Sequence, residues 1–413
     1  MSADALDLPE SVDDFARRAE AFFAEHCPPA PAATGWGVGS DTLVSAGLAK
    51  DQHGPETIDE ERRFQRLLFD HGFAWLTGPT EYGGAGLTAA HVAAFRRVAA
   101  RFAVPSTSTF MIGQRIVAPA ILQYGRPEQR QRWLPRIWRG DSIACQVFSE
   151  PEAGSDLASL RCRAVRDGDG WRINGQKVWS SGAHLSDVGE VLTRTEPDPD
   201  LRHRGLTMFL VDMHSEGVEV KPLRQMNGNA HFAEVFFTDV WVPGEAMLGE
   251  RGQGWAAANA SLSSERDLPL EDSGLFLDPI GRLFELARVL GASGSPVVRQ
   301  ELADSYAREL IGRLTADRLR TEPGPVGAVS ASLTKLYESH SMWQVAQRAA
   351  AMLGARVAAD SGEWGTYCWT DVVLSVQSQR IAGGTDEIQR NIVAERGLGL
   401  PREPSPTTKG ATS

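Results

Sequence analysis

Three short runs combine residue types that could do chemistry. The first is Cys145-Gln-Val-Phe-Ser-Glu-Pro-Glu-Ala-Gly-Ser-Asp156. A strand-like run enters a Pro/Gly turn holding Ser155, and such a turn offers outward N–H groups and a hydroxyl to a phosphate or a flavin edge. The second is Gln176-Lys-Val-Trp-Ser-Ser181, where an indole that could cover a flat ring stands beside two hydroxyls that could bond its polar edge. The third is Arg380-Ile-Ala-Gly-Gly-Thr-Asp-Glu-Ile-Gln-Arg390. Two glycines lead into Thr385 as a helix N-cap, with Asp386 and Glu387 in the first turn, Ile388, Ile392 and Val393 on the apolar face, and Gly397 as the stop. The free N–H groups of such a helix start can polarise a carbonyl. Taken singly, each run also fits a plain surface turn, a core tryptophan or an ordinary capped helix.

The elements that must position these runs fall into three textures, and the class expected is α+β multidomain. Residues 8–141 read as an N-terminal helical domain. Phe15, Ala19, Phe22 and Phe23 keep a helical period, as do Phe64, Leu67, Leu68 and His71, with Gly72 as the stop. A turn-rich loop, Thr77 to Gly86, precedes a further helix bearing Val92, Phe95 and Val98. Residues 142–245 read as a central β-barrel or sandwich, with Asn174-Gly175 expected as a hairpin turn and strands at Leu206 to Asp212 and Glu234 to Val242. Residues 250–400 read as a C-terminal four-helix bundle with apolar stripes Leu302, Tyr306, Leu310, Leu314 and Leu333, Leu336, Tyr337, His340. Residues 401–413 are Pro/Ser/Thr-rich and expected to be a disordered tail.

Composition excludes several classes. With 42% hydrophobic residues, 23% charged and a formal charge of −11, the 413-residue chain reads as a soluble globular protein, not an electrostatic nucleic-acid binder. No apolar run approaches the ~20 residues that cross a bilayer, and the acidic start resembles no export signal, so a cytoplasmic protein is expected. Cys27, Cys145, Cys162 and Cys368 are scattered and expected to be reduced thiols; no histidine or cysteine spacing suggests a metal site.

In this order and spacing the three runs resemble the acyl-CoA dehydrogenase family, from about residue 10 to 402. Glu81-Tyr-Gly-Gly84, Tyr124-Gly-Arg-Pro-Glu-Gln129, Val235-Phe-Phe-Thr-Asp-Val-Trp-Val-Pro243 and Leu248-Gly-Glu-Arg-Gly-Gln-Gly-Trp255 extend the likeness. Its closing run is most similar to bacterial members acting on fatty, branched or steroid side-chain thioesters. The resemblance implies FAD as cofactor, with Gln146, Phe148, Ser149, Trp179, Ser180 and Ser181 around its ring and ribityl chain, and Thr385 and Glu387 along it. Ser155 would meet the CoA or FAD phosphates. It also implies an acyl-CoA substrate, an electron-transferring flavoprotein as acceptor, and a homo- or hetero-oligomer.

The implied reaction removes an α-proton from the thioester and passes a β-hydride to flavin N5, so it needs a carboxylate base. In many members that base directly precedes the Gly-Thr of the closing motif, but here the position is Gly383, which cannot serve. A second branch places a glutamate on the first long C-terminal-domain helix, and Glu265 in Leu262-Ser-Ser-Glu-Arg266 matches it. With Trp255 at zero and ~100° per residue, Leu262 lies near ~340°, Glu265 near ~280° and Arg266 near ~20°, bordering the expected apolar face. Glu265 is therefore the expected base, Arg266 a substrate-side neighbour, and the Gly384 N–H the group that polarises the thioester carbonyl. The sequence departs from the family at Arg288-Val-Leu-Gly and after Gln347, and Pro269 should end the base helix early. Those departures keep open a half-site subunit that completes a partner's flavin site. A flavin monooxygenase on the same fold is a further alternative.

Overall fold

The structure, a computed structural model, describes residues 10–30, 55–266, 279–319, 321–358 and 366–402. The described residues up to 266 form one compact unit, and those from 279 a second.

The first unit opens with helices α1 (Val12–His26), α2 (Pro55–Asp70), α3 (Ala89–Ala99), α4 (Ala118–Tyr124) and α5 (Pro127–Arg139). Ser11 caps α1 by accepting from the Asp14 N–H at 3.1 Å. The expected face, Phe15, Ala19, Phe22 and Phe23, is buried against Phe64, Leu68, Phe73 and Val98. Gly72 ends the α2 segment at a left-handed φ of 73°, and the Phe73 N–H reaches back to the Leu68 carbonyl at 2.7 Å.

The strands follow: β1 (Ala144–Val147), β2 (Arg163–Asp167), β3 (Gly170–Ser181), β4 (Val188–Arg194), β5 (Leu206–Asp212), β6 (Val218–Leu223), β7 (Phe232–Pro243) and β8 (Met247–Leu248). They form one sheet in the order β6-β7-β3-β2-β4-β5-β8, with β1 parallel to β4. Cys145 and Val147, Val191, Phe209 and Val211, and Ala233, Val235 and Phe237 share one dry cluster, so the sheet curls over its own core. The opposite face of the same strands, Ala144, Val188, Leu192, Met208 and Leu210, packs on α6 (Gly254–Arg266) and α4. Alternation along the strands therefore serves two cores.

The Asn174-Gly175 turn expected from the sequence does not form, and β3 runs straight through it. The β2–β3 turn is Gly168-Asp169, between paired Asp167 and Gly170, with Gly168 at a φ of 60°. Asn174 instead bonds across a bulge in β7: its amide donates to Asp239 at 2.9 Å, and the Asp239 N–H donates to its Oδ1 at 2.9 Å. Gly175 is there for space, because a Cβ on it would lie 2.7 Å from the Cys162 Cα.

The second unit contains α7 (Pro279–Val289), α8 (Pro296–Leu319), α9 (Gly324–Gly327), α10 (Ser330–Leu353), α11 (Thr366–Gln379) and α12 (Asp386–Ile392). Helix α10 packs on α7, α8 and α11, making a helical bundle whose core includes Leu283, Leu286, Met342, Val345, Ala349, Trp369 and Val372. The two expected stripes are only partly buried. Leu302 is interior but Tyr306 and Leu314 are exposed, and α10 buries Met342, Val345, Ala346 and Ala349 while Leu333, Leu336 and Tyr337 are half-buried and His340 is exposed. Small alanines let helices approach closely, and apolar period alone does not say which face gains a neighbour. Residues 403–413 of the expected tail, and Pro269, lie outside the described residues.

Gly175→Ala should destabilise the first unit by about 1–3 kcal/mol through overpacking. A chemical denaturation midpoint equal to that of the parent would contradict the close approach to Cys162.

Candidate active site

In the first unit, the runs at 145–156 and 176–181 meet where β1 ends beside β3. Lys177 is 0% exposed, and its ammonium donates to the Phe148 carbonyl at 2.8 Å and to Glu150 Oε1 at 2.9 Å. Glu150 also accepts from the Arg161 and Cys162 N–H groups at 2.7 and 2.8 Å, and the Val178 N–H donates to the Ser149 carbonyl at 2.9 Å. One buried ion pair thus pins the strand end, the 148–162 loop and β3 together. Neither member of this pair was singled out from the sequence; the signal was a lysine in the same alternation as the inward Trp171 and Ile173.

Immediately after Lys177 the strand bulges. Lys177 pairs with Val235 and Ser180 with Ala233, so Val178 and Trp179 together face one residue of β7. Trp179 sits at φ 61°, a left-handed conformation that costs a bulky residue about 1–3 kcal/mol. The bulge turns its indole outward, 59% exposed and edge-on to Phe232, and turns Ser180 inward, 1% exposed. The Ser180 Oγ and the Gln146 Nε2 are both buried without a hydrogen-bond partner. Buried polar atoms are normally paired, so an orphan on each of the two runs that meet here, one of them next to a strained, exposed aromatic, marks a place that can take a polar ring. These residues fit a flavin: two donors for its heteroatom edge and an indole for its face. Ser149 and Ser181 are half-buried and Phe148 is buried beside them. Ser155 is exposed in the turn after the Glu150–Ala153 bridge.

Helix α6 begins at Gly254, where a Cβ would meet the Thr207 backbone at 2.6–2.7 Å. Among its described side chains the buried positions are Gly254, Ala257, Ala258 and Ser261. At ~100° per residue these span an arc of about 100°, and position 265 falls inside it. The face expected from Trp255 and Leu262 is thus corrected. Those two large residues are half-buried at its margin, and small residues form the side that lies on the sheet. Glu265 and Arg266 occupy the last turn of α6, and their side chains lie outside the described residues. Ser261 Oγ lies 2.9 Å from both carboxyl oxygens of Glu190, which is 0% exposed on β4. Burial pushes the Glu190 carboxyl up to about 8, against the lowering effect of the Ser261 bond.

In the second unit, the third run forms the expected capped turn. Thr385 Oγ1 accepts from the Ile388 N–H at 3.2 Å. Gly383 and Gly384 adopt φ of 62° and 89°, and Gln389 Nε2 donates to the Gly383 carbonyl at 2.8 Å. Asp386, expected only as a first-turn acid, is buried and accepts from Arg380 at 2.8 Å, and from Lys335 and Ser339 at 3.2 Å each. Burial disfavours its charge, but those three donors outweigh burial and hold its carboxyl below the ordinary range. Glu387 is exposed, within 3.5 Å of Arg390. The helix continues past Ile392 into a π turn, Val393–Gly397, so Gly397 closes that turn.

In the first unit, a curled sheet core with an orphaned donor on each of two runs that meet near an exposed indole fits a flavin-binding enzyme. The comparisons with known proteins agree. Profiles described as acyl-CoA dehydrogenase N-terminal, middle and C-terminal domains match residues 46–141, 145–240 and 252–398. The chain belongs to the acyl-CoA dehydrogenase family, flavoprotein enzymes that oxidise acyl-CoA thioesters. It is 37% identical to acyl-CoA dehydrogenase IpdE1 of Mycobacterium tuberculosis, over 86% of this chain and 92% of that protein. Among solved structures it is similar to the ChsE4–ChsE5 complex from Mycobacterium tuberculosis, with a TM-score of 0.72, 26% identity, and 98% of this chain and 100% of that one covered. It is also similar to the Tcur3481–Tcur3483 steroid ACAD, with a TM-score of 0.73, 26% identity, and 96% and 100% covered. No helix among the described residues is long and apolar enough to cross a membrane.

Two outcomes check this geometry. Lys177→Met strands a buried carboxylate and should cost about 3–5 kcal/mol, read as a large fall in Tm; a parental Tm would rule out the pinning role. Trp179→Ala removes a largely exposed ring, so stability should stay within about 0.5 kcal/mol. Flavin affinity should fall about tenfold, measured by fluorescence titration, because such a ring contact is worth about 0.5–1.5 kcal/mol beyond area.

Proposed function

We propose that this protein is an FAD-dependent acyl-CoA dehydrogenase that introduces an α,β double bond into a fatty, branched or steroid side-chain thioester. The observation that carries the reading is that each of the two runs meeting in the first unit holds a buried, partnerless donor, Gln146 Nε2 and Ser180 Oγ, the latter next to the outward Trp179. Bound FAD would supply the hydride acceptor. Gln146 and Ser180 hold the polar edge of the ring, Trp179 covers a face, and Phe148, Ser149 and Ser181 line its surroundings. Ser155, in its exposed turn, takes a phosphate, and Thr385 and Glu387 lie along the cofactor. Glu265 is the base that removes the α-proton. The Gly384 N–H stabilises the enolate-like oxygen that develops as that proton leaves, and Arg266 stands on the substrate side. An electron-transferring flavoprotein reoxidises the enzyme, which works as an oligomer in the cytoplasm.

A second reading is a half-site subunit whose flavin site needs a different chain. It is favoured by the missing arginine pattern at Arg288-Val-Leu-Gly and by two solved relatives that are named as two-component assemblies.

Anaerobic bleaching of the flavin's visible absorbance, with a panel of acyl-CoAs, tests the first reading. Wild type should bleach with at least one thioester, and Glu265→Gln should slow that step by about 10²–10⁴-fold, the usual contribution of a general base. Equal rates would move the base elsewhere. A colourless protein that turns yellow only when co-expressed with a partner would establish the second reading instead.

A further inference from the structure

The layer between α6 and the sheet contains a carboxylate that the reaction above does not use. Glu190 lies on β4 in a run that is otherwise apolar, Val188-Gly-Glu-Val-Leu192. Its neighbours on that face are Ala144, Val188, Leu192, Met208, Leu210, Ala257 and Ala258. Its polar partner is the fully buried Ser261, whose Oγ is 2.9 Å from each carboxyl oxygen. An ionised carboxylate in such a layer is costly, and an apolar residue of similar volume would pack there without that cost. The acid must therefore be doing something that packing alone does not require.

Its position supplies the reason. Glu190 is the register partner of Gln146 in the parallel β1–β4 ladder. Ser261 stands four residues before Glu265, one turn away on the same side of α6. The start of the helix is already fixed, because the Gly252 N–H donates to Thr207 Oγ1 at 3.0 Å and Gly254 rides on the Thr207 backbone. The Glu190–Ser261 contact is a second anchor, two turns further on.

We propose that Glu190 is a positioning residue for the dehydrogenation, holding the Glu265 end of α6, through Ser261, to the strand pair that carries Gln146. The inference rests on the reading of Glu265 as base. It operates with Glu190 neutral, when the carboxyl can donate to or accept from the hydroxyl. The titratable group that interacts with it from β1 is Cys145, whose thiol burial pushes up to about 12, so it stays neutral as well. The described side chains of α6, as far as Ser263, include no charged group. Raising the pH through about 8 ionises Glu190 and loosens the anchor.

The sign for stability follows from proton counting. Between the ordinary 4.5 and about 8 the folded chain keeps a proton that the unfolded chain has lost, so this group makes stability fall as pH rises through that window, then level off. The test uses the flavin-loaded protein, Glu190→Gln, Glu190→Leu and Ser261→Ala, with two readouts: the bleaching rate constant at saturating acyl-CoA from acid to alkaline pH, and Tm over the same range. Wild type should show an alkaline fall in rate near pH ~8, with acyl-CoA affinity unchanged. Glu190→Gln should keep the neutral-pH rate, lose that alkaline limb and flatten the decline in Tm. Glu190→Leu and Ser261→Ala should lose rate ~10-fold at unchanged affinity. A wild-type alkaline limb in Glu190→Gln, or a full rate in Glu190→Leu, would overturn the proposal; Glu190→Gln keeps it testable if Glu190→Leu does not fold. If instead Glu265→Gln bleaches normally, the base assignment and the positioning role fall together, while a flattened Tm profile in Glu190→Gln would still show the acid's neutral anchor.

Discussion

A lysine ammonium with no exposure to water has to be answered by acceptors at fixed positions, and that requirement organises the first unit. Lys177 takes the Phe148 carbonyl and the Glu150 carboxylate, and Glu150 in turn takes two backbone N–H groups at the start of the segment leading into β2. Removing either charge would leave the other stranded in a dry core, so the chain cannot relax one strand without breaking all of these contacts. Gln146, Phe148 and Ser149 lie within a few residues of one end of this clamp, and Trp179, Ser180 and Ser181 within four of the other. A site built from two distant runs needs such a crosslink to hold its donors to the tolerances that ring recognition demands.

The clamp also explains how the strand tolerates strain next to it. A bulge with a tryptophan at positive φ would ordinarily slip back into register, carrying Ser180 outward and Trp179 inward. With Lys177 anchored on one side and Ser180 paired to Ala233 on the other, the extra residue stays where it is. Two buried polar atoms then stand without partners, a cost that a ligand can recover on binding. In the second unit the Gly383-Gly384 turn has an analogous support. Asp386, held by Arg380, Lys335 and Ser339, fixes the start of α12, while Gln389 gathers the turn's carbonyls.

The three-part architecture was legible because its signals are local and repeated. Helical period in α1 and α2, strand runs at β5 and β7, and the capped glycine turn at Thr385 all depend on residues within one or two turns of each other. The failures were equally physical. Asn174-Gly175 has the composition of a hairpin turn, but a cross-strand partner for the asparagine and a close approach by Cys162 make it mid-strand. The buried side of α6 is composed of Gly254, Ala257, Ala258 and Ser261, which a reading weighted by large apolar residues passes over in favour of Trp255 and Leu262. Tyr306 and Leu314 read as core, yet nothing within the described unit covers them.

By itself, then, the sequence determined the order of helical and β segments, the family to which the chain belongs and the runs that carry the candidate site, since motif residues and short-range periodicity are written in the chain. Only the tertiary structure decided which polar groups are dry. Lys177 with Glu150, Glu190 with Ser261, and Asp386 with its three donors are pairs distant in sequence, and whether a charge is paired, neutral or solvated depends on what folds over it.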